Sequence, residues 1–193
     1  ELRQAYLLDR QNTTALNNLG LCLLRRGNLS DAISVLHLVL TIKPDDELAH
    51  NNLGLAMSKQ HDDAGAALHY RELLKLNPQN AAAWLSLGQC CAHLGQLDKA
   101  VEAYRQAVEL NSEDADTYNN LGLAYLSLGK LTEAIMALDK ALDIRPDSKY
   151  THNNKGLVYT ALGQLNNAAA AFQASLNLDP QDEDTRTNLG IVL

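Results

Sequence analysis

Gly20, Gly54, Gly88, Gly122, Gly156 and Gly190 stand 34 residues apart without a gap. Few folds satisfy such a period, because a unit of fixed length has to pack against copies of itself. Seven residues further on, Gly27, Gly95, Gly129 and Gly163 form a second column, with His61 as the substitution. All four prolines, Pro44, Pro78, Pro146 and Pro180, form a third, with Ser112 as the exception. The chain therefore reads as one solenoid rather than several domains, with a looser turn expected at His61.

Within each unit, the residues four before, one before, at and three after the first glycine have the i, i+3, i+4, i+7 spacing of a buried helical stripe. Tyr118, Leu121, Gly122 and Tyr125 are one example, and Trp84, Leu87, Gly88 and Cys91 another. Glycine inside a helix costs about 1 kcal/mol relative to alanine, so its recurrence predicts a close helix approach that offsets the loss. A second helix carries Ala32, Ala66, Ala100, Ala134 and Ala168, followed four residues later by Leu36, Tyr70, Tyr104, Leu138 and Phe172. Small and large residues alternate there as interlocking helices require. Proline just beyond ends this helix, since it cannot continue the hydrogen-bond ladder.

This arrangement resembles the tetratricopeptide repeat (TPR) along the whole chain. The family pattern of an aromatic, Leu-Gly, an aromatic, Ala, an aromatic, Ala and Pro is nearly complete in Trp84, Leu87, Gly88, Ala100, Tyr104 and Ala107, and again from Tyr118 to Pro146. Lys155 departs from it by replacing the leucine before the glycine, with its ammonium expected to snorkel outward. The resemblance implies an all-α fold, a right-handed α-α superhelix (TPR solenoid) of antiparallel helix pairs. In this register residues 1–12 end a preceding repeat, with Leu2, Ala5 and Leu8 in its second-half columns. Full repeats cover 13–46, 47–80, 81–114, 115–148 and 149–182, and 183–193 start a sixth, so a single array cut from a longer one is expected.

No run approaches the ~20 apolar residues of a membrane span. A hydrophobic share of 46% predicts a folded chain. The net charge of −7 argues against nucleic acid or an anionic membrane as partner, since both need a basic footprint. A protein or peptide is the expected partner. Cys22, Cys90 and Cys91 are too few and too unevenly spaced for a disulfide framework, and they read as small buried residues of a protein in a reducing cytoplasm.

Function is sought in columns that the core does not use. Two residues before the glycine stand Asn18, Asn52, Asn120, Asn154 and Asn188, broken by Ser86, and one residue earlier Asn17, Asn51, Asn119 and Asn153. Asparagine is a mediocre helix former, and its amide both donates and accepts, so a row of them suits the N–H and C=O groups of an extended peptide. Beside it run Leu21, Leu55, Leu123, Leu157 and Ile191, offering apolar contact, with Arg25, Lys59 and His93 further along the stripe. The TPR resemblance places this face in a concave groove. The array is similar to the asparagine ladder of the O-linked N-acetylglucosamine transferase superhelix, and groove asparagines of peroxisomal import receptors are similar. The expected function is a non-catalytic scaffold or adaptor that holds an extended partner segment. The same asparagines could instead bond the neighbouring helix.

Carboxylate-clamp TPRs carry an asparagine directly after the glycine, and here that column is Leu21, Leu55, Gln89, Leu123, Leu157 and Ile191. Binding of acidic chaperone C-termini is therefore not expected. The acidic clusters at Asp45, Asp46 and Glu47, at Glu113, Asp114 and Asp116, and at Asp179, Asp182, Glu183 and Asp184 precede first helices and are expected to cap them. Gly122 to Lys130 lacks the spacing of a phosphate-binding loop. His50, Trp84 and His152 share a core-edge column and read as packing. No cofactor, metal ligand or catalytic residue is nominated. Two other readings remain open: a scaffold that self-associates through its ends, and the substrate-selecting arm of a larger enzyme.

Overall fold

The computed structural model describes residues 12–193, and the expected tail bearing Leu2, Ala5 and Leu8 lies outside the described residues. Every regular element among the described residues is an α-helix: α1 (Thr13–Arg25), α2 (Leu29–Ile42), α3 (Glu47–Lys59), α4 (Asp63–Leu76), α5 (Ala81–His93), α6 (Leu97–Leu110), α7 (Ala115–Ser127), α8 (Leu131–Ile144), α9 (Lys149–Ala161), α10 (Leu165–Leu178) and α11 (Glu183–Val192). The odd-numbered helices begin at 13, 47, 81, 115, 149 and 183, so the glycine spacing is carried into the backbone. The chain divides into two compact units, Glu1–Gly95 and Gln96–Leu193. In the first, α1 to α5 each pack on the next and α1 also touches α3. In the second, α6 to α11 do likewise, with α7 touching α9 and α9 touching α11. Short turns join contacting helices, which makes the pairs antiparallel. The all-α class expected from the sequence is present.

The helix ends show why these residues stop and start where they do. Asn12, Asp46, Asn80, Asp114, Ser148 and Asp182 cap the first helices, each accepting a backbone N–H with its side chain. The acidic clusters thus do the capping expected of them through Asp46, Asp114 and Asp182. The turn inside each repeat takes a left-handed residue, with φ of 81° at Gly27 and 72° at Gly129. His61 adopts the same conformation at 62°, and Asp62 N–H reaches Met57 O at 2.9 Å, as Asn28 N–H reaches Leu23 O. The looser turn expected at His61 is therefore absent. Helix closure imposes one geometry, and histidine enters it at a backbone cost of about 1–2 kcal/mol.

The core repeats with the glycines. A Cβ at Gly20 would stand 2.7 Å from Leu36, at Gly54 2.8 Å from Tyr70, and at Gly122 2.6 Å from Leu138, while at Gly156 it would overlap Phe172. Glycine is there because the large residue of the second helix leaves no room for a side chain. Around these contacts lie buried clusters such as Leu24, Ala32 and Ala56 in the first unit, and Ala134, Leu138 and Val158 in the second. Each fully buried leucine or phenylalanine contributes about 1.5–3 kcal/mol.

Candidate functional site

In the first unit Asn18 is exposed, Asn51 half-buried and Asn52 buried. Asn17 is buried and donates from Nδ2 to Asp46 Oδ1 at 3.0 Å, while its own Oδ1 is enclosed and accepts no hydrogen bond. Burial pushes the Asp46 carboxyl up, but hydrogen bonds from Ala49 N–H, Asn17 and Lys43 outweigh it and hold the group below its usual range. Ser86, the gap in the asparagine column, pairs with the Tyr70 hydroxyl, a phenol that burial raises above its ordinary pKa.

In the second unit the asparagines bond to one another across consecutive first helices. Asn154 Nδ2 donates to Asn119 Oδ1 at 2.9 Å, and Asn188 Nδ2 to Asn153 Oδ1 at 3.3 Å. Thr185 Oγ1 donates to the same Asn153 oxygen at 3.1 Å. Asn120 is half-buried beside them. Each rung uses one of the two N–H groups of its donor amide, so the column ties repeats together without exhausting its hydrogen-bonding capacity.

The apolar column is uneven. Leu21, Leu123 and Leu157 are half-buried, Leu55 is exposed, and Ile191 is 73% exposed. Leu157 packs on the cluster of Ala168, Phe172 and Val192, which gives it a structural task. Arg25 and Lys59 are exposed in the last turns of α1 and α3, where a cation complements the helix dipole. His93 is tied down, its Nδ1 3.1 Å from Asp63 Oδ1.

One regularity escaped the sequence reading. The core-edge column donates to the carbonyl of the preceding proline: His50 Nε2 lies 3.0 Å from Pro44 O, Trp84 Nε1 2.9 Å from Pro78 O, His152 Nε2 2.8 Å from Pro146 O, and Arg186 Nη2 2.6 Å from Pro180 O. Four side chains of three kinds share one task, and the pattern lapses at Tyr118, whose counterpart is Ser112 rather than proline. The signal was visible as a donor side chain six residues after each of the four prolines. Cys90 and Cys91 are buried, and burial pushes the Cys90 thiol up to about 12, with Asp63 and Cys91 adding to the shift, so it is an inert packing group. Among the described residues no group of three or more His, Cys, Asp or Glu is arranged to hold a metal ion, and no helix is long and apolar enough to cross a membrane.

Models of the tetratricopeptide repeat match residues 1–47, 55–106 and 115–148, and a further TPR repeat model matches 91–129 and 156–193. The chain belongs to the tetratricopeptide repeat family. Solved TPR structures share its fold. The crystal structure of MamA protein is 25% identical, with a TM-score of 0.84 over 91% of this chain and 96% of that one. YrrB, described as a TPR protein with an unusual peptide-binding site, is 18% identical, with a TM-score of 0.86 over 96% of each chain. MamA 41-end from Desulfovibrio magneticus RS-1 is 24% identical, with a TM-score of 0.84 over 89% of this chain and 97% of that one. No curated protein matches the sequence. TPR membership and the shared solenoid fold make this chain a protein-interaction scaffold by type.

Two TPR units of the second half also carry equivalent recesses. Tyr118, Leu121, Tyr125, Met136 and Ala137 wall a cavity of about 430 Å³ between α7 and α8. Positions 34 residues on, among them His152, Lys155 and Tyr159, wall one of about 320 Å³. Lys155 does not simply point to solvent as expected, because its Nζ stands 2.6 Å from Asp139 Oδ1 and 5.7 Å from the Tyr159 ring centroid. An aromatic ring one turn along its own helix and a carboxylate from α8 make a lysine tolerable in a leucine column.

Proposed function

We propose that the protein is a non-catalytic TPR scaffold, a single array that binds an extended segment of a partner protein along the asparagine-bearing face of its first helices. Asn18, Asn51, Asn52, Asn119, Asn120, Asn153, Asn154 and Asn188 supply sequence-tolerant hydrogen bonds to the partner's backbone. Leu21, Leu55, Leu123 and Leu157 receive its apolar side chains, and Arg25 and Lys59 favour a carboxylate at one end. The supporting observation is the state of the asparagine column. Asn18 is exposed, Asn120 is half-buried, and the rungs through Asn154 and Asn188 each leave an amide N–H unused. A peptide held this way meets donors fixed in advance, which lowers the ordering cost on the protein's side. The peptide-binding site named for YrrB is consistent with a peptide ligand here.

A random-peptide display selection on the parent chain and on an Asn18→Ala, Asn120→Ala double variant tests this reading. These two residues make no inter-repeat rung, so circular dichroism should find the variant folded. Peptides that enrich on the parent and fail on the variant support the face. The same peptides enriching on both, or none on either, would defeat it.

A further inference from the structure

His50 belongs to the column that donates to proline carbonyls, so its Nε2 carries the hydrogen in the 3.0 Å contact with Pro44 O. A neutral imidazole has a single N–H, which leaves His50 Nδ1 bare. His69 Nδ1 stands 3.1 Å from that nitrogen and must be its donor. A carbonyl that can only accept thus fixes the tautomer of both rings. The pair joins α3 to α4, and each residue is 7% exposed.

The surroundings add little compensation for charge. From α2, the His37 ring lies 5.7 Å from that of His69. Glu72, one turn along α4, is paired with Lys75 at 2.7 Å, and Asp62 caps the helix. From α5 the titratable groups are Cys90, Cys91 and His93, the last turned to Asp63. Burial, with His50 and His37 nearby, lowers the His69 pKa to about 4, and the opposing pull of Glu72 and Asp62 does not reverse it.

A first proton on His69 Nε2 leaves the 3.1 Å bond in place but sets a cation in a buried site beside two imidazoles. A second proton on His50 Nδ1 aims two N–H groups at each other, and the contact then has no acceptor. Once the helices separate, His69 takes its proton from water. We infer that the His50–His69 contact is an acid-released latch between α3 and α4, closed while both rings are neutral and opened by proton uptake. The second unit carries a natural counterpart without the latch: His152 makes the same bond to Pro146 O at 2.8 Å, but Ala171 stands where His69 would be. Because α3 also carries Asn51 and Asn52, opening would reshape the proposed ligand face, a consequence that rests on that reading while the latch does not.

Thermal unfolding of the whole chain at about pH 7.5 and about pH 5, without ligand, tests the latch in the parent and in His69→Asn. Asparagine offers an N–H donor near the position of Nδ1 but takes up no proton. The parent midpoint is expected to fall by about 4 °C or more beyond the fall seen in the variant. Parallel falls in the two proteins overturn the latch. Should His69→Asn not fold, ring nitrogen shifts of the parent decide. His69 staying neutral to about pH 5.5 supports the latch, and His69 titrating near 6.5 with the helix signals unchanged overturns it.

Discussion

Asn17 in α1 and Asn153 in α9 occupy the same place in their repeats, yet their amides are turned to opposite ends. Asn17 donates to the cap carboxylate Asp46 and leaves its oxygen buried without a partner. Asn153 presents its oxygen to Thr185 and Asn188. The difference lies in the residue 32 positions later, Ala49 in the first case and Thr185 in the second. Thr185 Oγ1 shares its single hydrogen between Asp182 Oδ2 at 2.9 Å and Asn153 Oδ1 at 3.1 Å. Where alanine removes that hydroxyl, the cap turns directly to the asparagine. An asparagine column is therefore not one device repeated, because a buried hydroxyl on the first helix of the next repeat decides which end of the amide faces the neighbour.

The largest separation between the two units should appear in acid. Folded His69 stays neutral to about pH 4, whereas an unfolded imidazole takes a proton near 6.5. Between those values the unfolded state holds more protons, so stability is full above about 6.5 and falls as pH drops towards 4, by about 3 kcal/mol. Hydrogen exchange should show α3 and α4 losing protection on acidification well before α9 and α10, which have Ala171 in place of His69. Equal loss in both would remove this contrast.

A smaller effect, about 1–2 kcal/mol, is expected for Thr185→Ala, which removes the hydroxyl shared between Asp182 and Asn153 and leaves α11 with the contact chemistry of α3. Urea unfolding would read it, and an unchanged midpoint would mean that the hydroxyl does not hold the rung. The reverse change sharpens the comparison. Ala49→Thr should stabilise the first unit by about 1 kcal/mol, since its hydroxyl would offer a donor to the orphaned Asn17 oxygen. Loss of stability would show that the fully buried Ala49 site has no room for the added atoms. The smallest effect concerns the turn: His61→Gly should raise stability by about 0.5–1 kcal/mol, because a left-handed φ of 62° suits glycine. Gly27→Ala, its converse, should cost a similar amount by backbone strain alone, since a Cβ there meets nothing within 4 Å.

Much of the fold was legible because its determinants are local or periodic. Gly20, Gly54, Gly122 and Gly156 announce themselves by spacing, and each meets the large residue sixteen positions on. Pro44 and its equivalents mark helix ends because the ring forbids continuation. The turn at His61 was misjudged from residue type, since helix closure on both sides fixes its conformation more strongly than histidine resists it. Lys155 was read as an outward-pointing cation because Asp139, sixteen residues earlier on a different helix, becomes a neighbour only through packing. The candidate face was legible as a column of residue types but not as a set of hydrogen bonds, because an amide can turn either end to its neighbour.

The sequence by itself determined the repeat length, the helical class and the small-against-large packing, since these follow from periodicity, volume and the backbone limits of glycine and proline. Tertiary structure alone decided which polar groups meet. It paired Asn154 with Asn119, locked His50 against His69 and left the Asn17 oxygen without a donor. Those outcomes turn on tenths of an ångström and on which atom of a side chain faces a neighbour from another repeat. Hydrogen bonds depend on distance and direction between atoms far apart in the chain, and a linear pattern of residue types carries neither.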